Sequence, residues 1–162
     1  DLKGAKLTNA DLRRAELIGA DMSGADLTGA NLRDCNLRRA ILEDATLVDA
    51  DLSDVNMREA NLTRADLTRA NLSGANLSGV TMSGANLTDA NLEAAIFRNT
   101  DLSLAVMDGT RLVDADFSGA NWWRAQGLTQ SQLDELSAKY APDEDASAER
   151  RDDYQRWLGN QK

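Results

Sequence analysis

A five-residue period runs unbroken from Asp1 to Ala125 of this 162-residue chain, and no other feature restricts its fold so severely. The period centres on residues 2, 7, 12 and so on to 122, which hold eighteen Leu, four Met, two Phe and Trp122. Two residues before each centre the side chain is small. From Ala5 to Ala125 this column holds twenty Ala, broken only by Cys35, Val55, Val80, Thr100 and Thr110. Between the two columns, seventeen of 25 positions are Asp or Asn. Ala60-Asn61-Leu62-Thr63-Arg64, followed by Ala65-Asp66-Leu67-Thr68-Arg69, shows the unit.

Five matches neither the 3.6 residues of an α-helical turn nor the alternation of a strand. It requires a short extended piece followed by a corner. The corner falls two residues after each centre, where seventeen of 25 residues are Gly, Asn or Asp, the types that best tolerate positive φ. Stacked coils of this kind bury Leu and Ala and pair their backbone groups with the neighbouring coil. Their spacing should be that of a sheet, about 4.8 Å.

Charges at the corner positions indicate how many units make a coil. At a separation of twenty residues, Arg14/Asp34, Arg39/Glu59, Asp44/Arg64, Asp49/Arg69 and Arg69/Asp89 are opposite in sign, and only Asp34/Asp54 is alike. Separations of 15 and 25 show no such excess of opposite pairs. Facing charges on stacked strands prefer opposite signs, so four units per coil are expected.

The repeated A(D/N)LXX unit resembles the pentapeptide repeat family over residues 1–125. The resemblance implies an all-β solenoid, a right-handed quadrilateral β-helix with four pentapeptides per coil. Twenty-five units would make just over six coils, a rod of about 30 Å at sheet spacing. Family membership does not select a function. Some members bind DNA gyrase and confer quinolone resistance as acidic, DNA-imitating dimers; others are interaction modules attached to larger proteins.

Composition excludes much chemistry. There is no histidine, hence no imidazole base and no histidine-bound metal. The sequence points to no catalytic residue, metal or cofactor. Cys35 sits in the small inward column and reads as a buried apolar residue rather than a nucleophile. The abundant Asp and Asn lack the dense ligand spacing of a calcium loop. Ladders such as Asn36, Asn56 and Asn76 are instead expected to bond along the stack. A net charge of −9 disfavours direct nucleic-acid binding and anionic membranes, and no segment is long and apolar enough to span a bilayer. The compartment is not legible; a cytoplasmic location is the default, with a lumenal or periplasmic one, or a place in a larger protein, as alternatives.

After Ala125 the period stops, and residues 126–162 read as a short α-helical C-terminal cap. Thr129 and Gln132 form a capping-box pattern, with Leu128 and Leu133 as its hydrophobic staple. A helix through about Lys139 would align Leu133, Leu136 and Tyr140. Ala141-Pro142 breaks it, and Asp143 to Asp145 signal the start of a second helix ending near Gly159. Its packing stripe is Ala146, Arg150, Tyr154, Trp157 and Leu158. Such a cap would cover an open coil end, which otherwise exposes leucines and an unpaired edge. It would alternatively be the dimer interface, as in gyrase-binding relatives, so monomer and homodimer both stay open. Asp1 already lies inside a repeat; either an element preceding it or another molecule is expected to cover that end.

Two surfaces are candidates for function. Ile96, Leu104, Val106, Val113 and Trp123 are apolar at outward positions of the last coils. They would form a docking surface for the cap, with Leu133, Leu136, Tyr140, Tyr154 and Trp157, or for a partner. Arg13, Arg33, Arg38 and Arg58, with Arg14 and Arg39, gather on two neighbouring sides of the first three coils. That basic patch weighs against a DNA mimic. A Thr column (Thr8, Thr28, Thr68, Thr88, interrupted by Val48) suits ordinary strand propensity. The expected function is a non-enzymatic scaffold that presents flat faces to a protein partner; an acidic gyrase-binding DNA mimic is the alternative.

Overall fold

The computed structural model describes residues 1–160. Within the repeats, each centre opens a four-residue turn. In a typical unit the N–H of Ala65 donates to the carbonyl of Leu62 at 3.0 Å. The third residue of the turn is left-handed at every corner from Gly4 to Gly119, with φ of 58° at Asp89 and 57° at Arg64. The fifth position is therefore the corner, as the Gly, Asn and Asp bias predicts. Arg64, Arg69 and Leu104 show that other residues are forced into the same backbone.

The chain returns beside itself every twenty residues. Parallel bridges join Asn36 to Asn56, Asn56 to Asn76 and Asp66 to Asn86, all at that separation. Each bridge is one residue long, and among the described residues none extends into a continuous strand. Two hydrogen bonds make it: Asn86 N–H donates to Ala65 O at 2.9 Å, and Leu67 N–H donates to Asn86 O at 2.7 Å. Four pentapeptides per coil, deduced from corner charges, is the observed register. Coil sides are numbered here from the repeats centred on Leu2, Leu7, Leu12 and Leu17. Phe97 and Phe117, one coil apart, stack with ring centroids 4.8 Å apart and planes within 4°, which is the sheet spacing.

The centres fill the interior. Met22, Leu67 and Leu92 have no accessible surface, and neither do Phe97, Phe117 and Trp122. Ala at the small column lets successive coils close to that spacing. Where Thr replaces it, the hydroxyl finds a carbonyl: Thr100 donates to Leu77 O at 2.7 Å and Thr110 to Met107 O at 2.9 Å. Cys35 is buried, its thiol donates to Leu12 O, and burial pushes its pKa up, the opposite of what a nucleophile needs.

The Asp/Asn column has a local cause. Its side chain accepts the N–H two residues on, as in Thr63 to Asn61 and Thr68 to Asp66, both 3.0 Å. This turn mimic fixes the approach to the corner. The expected ladder of Asn36, Asn56 and Asn76 does not form. Their side-chain oxygens accept from Arg38, Arg58 and Ser78 in their own repeats. A bonded ladder runs instead on the third side, Asn91 to Asn71 to Asp51, at 3.2 Å per step.

Four of the five opposite-sign corner pairs are ion pairs: Arg39–Glu59, Arg64–Asp44 and Arg69–Asp49 at 2.7 Å, and Arg14–Asp34 at 3.9 Å. Arg69 and Asp89 are not paired, because two guanidinium nitrogens of Arg69 are turned to Asp49.

In the last repeat, a 3-10 turn at Trp122–Arg124 leads to helix α1 (Gln130–Tyr140) and helix α2 (Ala148–Gly159). Helix α1 starts on the expected Thr129–Gln132 capping box. Helix α2 starts later than Asp143 to Asp145 suggest. Its N-cap is Ser147, whose hydroxyl accepts Arg150 N–H. Asp143 instead accepts the N–H groups of Asp145 and Ala146, closing the preceding turn. Ala146 therefore lies before the helix, and Leu158 is 38% exposed rather than packed. No helix among the described residues is long and apolar enough to cross a membrane.

Candidate functional site

The seam between the last coil and the helices is the most elaborate part of the surface. Inside the coil, the carbonyl of each small residue accepts the N–H 21 positions on, as Ala105 does from Gln126 at 2.8 Å. The next three such carbonyls have no further coil to serve them. Side chains of the cap take its place. Gln132 Nε2 donates to Thr110 O at 3.0 Å, Tyr140 Oη to Ala115 O at 3.0 Å, and Arg150 Nη2 to Ala120 O at 2.8 Å. Arg150 Nη1 also donates to Gly119 O. A terminal edge is thus closed by donors that imitate the backbone of a missing coil, which removes a pairing hazard.

Aromatic packing closes the same end. Tyr140 tilts over Phe117 at 6.2 Å, and Trp122 meets Trp123, Tyr154 and Trp157 edge-on at 5.5 to 5.8 Å. Such contacts contribute roughly 0.5–1.5 kcal/mol each beyond the burial of area. Leu136, Tyr154 and Trp123 are buried, while Leu133, Tyr140 and Trp157 are half-buried against the core. These six assigned residues do form the cap seam. Asp153, which no periodicity singles out, ties it: its carboxylate accepts Trp123 Nε1 and two nitrogens of Arg124, all at 2.7 Å. Arg150 was legible as a charged residue on a packing stripe; its guanidinium lies 5.0 Å from the Trp123 ring centroid.

Of the other four apolar candidates, only Leu104 comes beside them. At twenty residues per coil, Leu104 and Trp123 fall on the first side, Val106 on the second, Val113 on the third and Ile96 on the fourth. The five form no single surface, although Leu104 and Trp123 share a side. Leu104 and Val113 are 63% and 58% exposed, and the helices cover neither. Leu104 borders a shallow groove of about 630 Å³ with Trp123, Trp157 and Arg156.

The arginine patch occupies the third and fourth sides as expected, but four of its six arginines are paired with carboxylates. Arg13 pairs with Asp11 of its own repeat at 2.7 Å and holds that carboxyl down to about 2. Arg33 reaches Asp54 at 3.3 Å and Asp34 at 3.7 Å. Arg38 and Arg58 have no carboxylate within 4.0 Å among the described residues. Among the same residues, no group of three or more His, Cys, Asp or Glu side chains is arranged to hold a metal ion.

A coil of pentapeptides stacked four to the turn defines a class of repeat protein. The model of pentapeptide repeats matches residues 1–34, 20–58, 45–84 and 85–121, and the chain belongs to the pentapeptide repeat family. Among solved structures it is similar to HetL, a pentapeptide repeat protein involved in heterocyst differentiation regulation in the cyanobacterium Nostoc sp. strain PCC 7120. Identity is 38% and the TM-score 0.53, over 73% of this chain and 60% of HetL. The chain thus spans 60% of HetL's length. A pentapeptide repeat protein of the Arabidopsis thaliana thylakoid lumen is 27% identical over 92% of this chain and 91% of its own, with a TM-score of 0.46. QnrB1, a plasmid-mediated fluoroquinolone resistance protein, is 23% identical over 65% and 57%, with a TM-score of 0.48. No curated protein matches the chain.

Proposed function

We propose that this protein is a non-enzymatic scaffold whose stacked sides present side chains in fixed register to a protein partner. The right-handed quadrilateral β-helix implied by the family resemblance would supply four flat, rigid faces. The single observation that carries this reading is the register itself. Columns such as Asn36, Asn56 and Asn76 recur at every coil on a backbone bonded to its neighbours on both sides. A surface so pre-organised loses little conformational entropy on binding. The likeness to HetL, a protein of regulation rather than of a stated reaction, agrees with it. The likeness to QnrB1 carries no argument for function.

Affinity capture with the full chain from cells that encode it, followed by size-exclusion chromatography with light scattering, tests the reading. A complex of fixed stoichiometry is expected. A chain that elutes alone at every concentration would remove the scaffold. A homodimer that inhibits gyrase supercoiling would replace it with the acidic DNA mimic.

A further inference from the structure

The repeats contain eleven arginines. Nine of them have a carboxylate within 4.0 Å. Arg38 and Arg58 have none among the described residues, and they are neighbours. Both lie two residues after bridged asparagines, Asn36 and Asn56, so they stand in one column of the fourth side, one coil apart. Like charges directly opposite on stacked strands repel; Glu59, which pairs with Arg39, acts on both only from a distance.

The surrounding acids are committed elsewhere. Glu16 accepts the Asn36 amide at 2.9 Å, Glu59 pairs with Arg39 at 2.7 Å, and Asp54 is held by Arg33 at 3.3 Å. Arg38 Nε is buried without any hydrogen-bond partner, a costly state for a charged donor. The next step of the same column, toward the first coil, is Ile18, an apolar side chain left 55% exposed. One column thus offers an apolar contact followed by two unpaired guanidinium groups.

We propose that this column, Ile18–Arg38–Arg58, docks an acidic segment of the partner protein. The partner's carboxylates bond the two guanidinium groups and an apolar side chain rests on Ile18. The inference rests on the scaffold reading and names its chemistry. Guanidinium forks match carboxylates in bidentate geometry. A duplex nucleic acid fits less well. It carries one charge per roughly 1.7 Å of axis and would press that charge onto Glu16, Asp34, Asp54 and Glu59. A short acidic segment carries fewer charges past those groups.

The test uses the full chain and fluorescence anisotropy with three probes: a labelled Asp/Glu-rich peptide carrying one leucine, a labelled oligodeoxynucleotide, and phosphatidylserine vesicles. Arg38→Gln/Arg58→Gln is compared with Arg39→Gln/Arg64→Gln, which removes the same charge from paired arginines. The first variant should lose about tenfold in peptide affinity and the second less than about twofold, with binding weakened by salt. Circular dichroism establishes that both variants fold. Equal losses in the two variants, no peptide binding by the parent chain, or tighter binding of the oligonucleotide or vesicles would overturn the proposal. If the peptide arm fails while the parent chain still forms its cellular complex, the column is wrong and the scaffold stands. If neither forms, both fall.

Discussion

Asp153 accepts the indole N–H of Trp123 at 2.7 Å, joining helix α2 to the last turn of the repeats. Bonds from Arg124 to the same carboxylate, with the Trp123 bond, hold its pKa down to about 2 from 3.8, against the opposing effect of partial burial. A depressed folded-state pKa means stability that is complete above the unfolded value and disappears as pH falls through the folded one. The contribution, about 2 kcal/mol, should be lost between roughly pH 4 and pH 2. Asp153→Asn should abolish this acid limb and loosen α2 at neutral pH. Tryptophan fluorescence across an acid titration measures the first, and hydrogen exchange in Ala148–Gly159 the second.

Tyr140→Phe removes one hydroxyl and keeps the ring over Phe117. It leaves Ala115 O without the donor it has at 3.0 Å, at an expected cost of about 1–2 kcal/mol in chemical denaturation. A cost indistinguishable from zero would mean that water serves this carbonyl as well as the tyrosine does.

Leu67→Ala should destabilise the coil by about 2–5 kcal/mol, because a fully buried centre leaves a cavity that the stacked backbone cannot collapse to fill. Thr68→Ala next to it should cost about 1 kcal/mol. Thr68 is half-buried but bonds Asp66 and accepts from Asn86 at 2.9 Å, so the loss is that of a hydrogen bond. Equal costs in urea denaturation would refute the inward assignment of the centres.

The corners give a pair of opposite predictions. Leu104 has φ of 60° and is 63% exposed, so it carries left-handed strain without burial in return. Leu104→Gly should stabilise the protein by about 1 kcal/mol. Gly119 has φ of 75°, and a Cβ there would collide with the side chain of Asn99. Gly119→Ala should lower the melting temperature while Leu104→Gly raises it.

The corner position, the inward columns and the coil register are all legible in the sequence. Each is a local rule repeated two dozen times, and repetition lets a weak bias be read as a strong one. Residues that occur once resist such reading. Asp143 to Asp145 looked like a helix start because acids favour that place, yet Ser147 took the cap while Asp143 closed a turn. Asn36, Asn56 and Asn76 looked like a ladder because they align, but each side chain meets its own backbone first. The apolar outward residues looked like a patch because they are close in sequence. A twenty-residue coil distributes them over four sides.

What the chain alone determined is the repeating unit: Leu inward, Ala small enough to close the stack, Asp or Asn to set the turn, and a left-handed corner. These are contacts within five residues or at one fixed multiple of five, so they appear directly as periodicity. What only the tertiary structure decided is how the repetition ends and which charges remain unspent. Gln132, Tyr140 and Arg150 reach carbonyls 22, 25 and 30 residues away, separations that do not share the fixed step of the coils. Arg38 and Arg58 differ from the other nine arginines of the repeats in having no carboxylate within reach among the described residues. Side-chain direction is settled by competition among partners in three dimensions, and a linear pattern carries no record of that outcome.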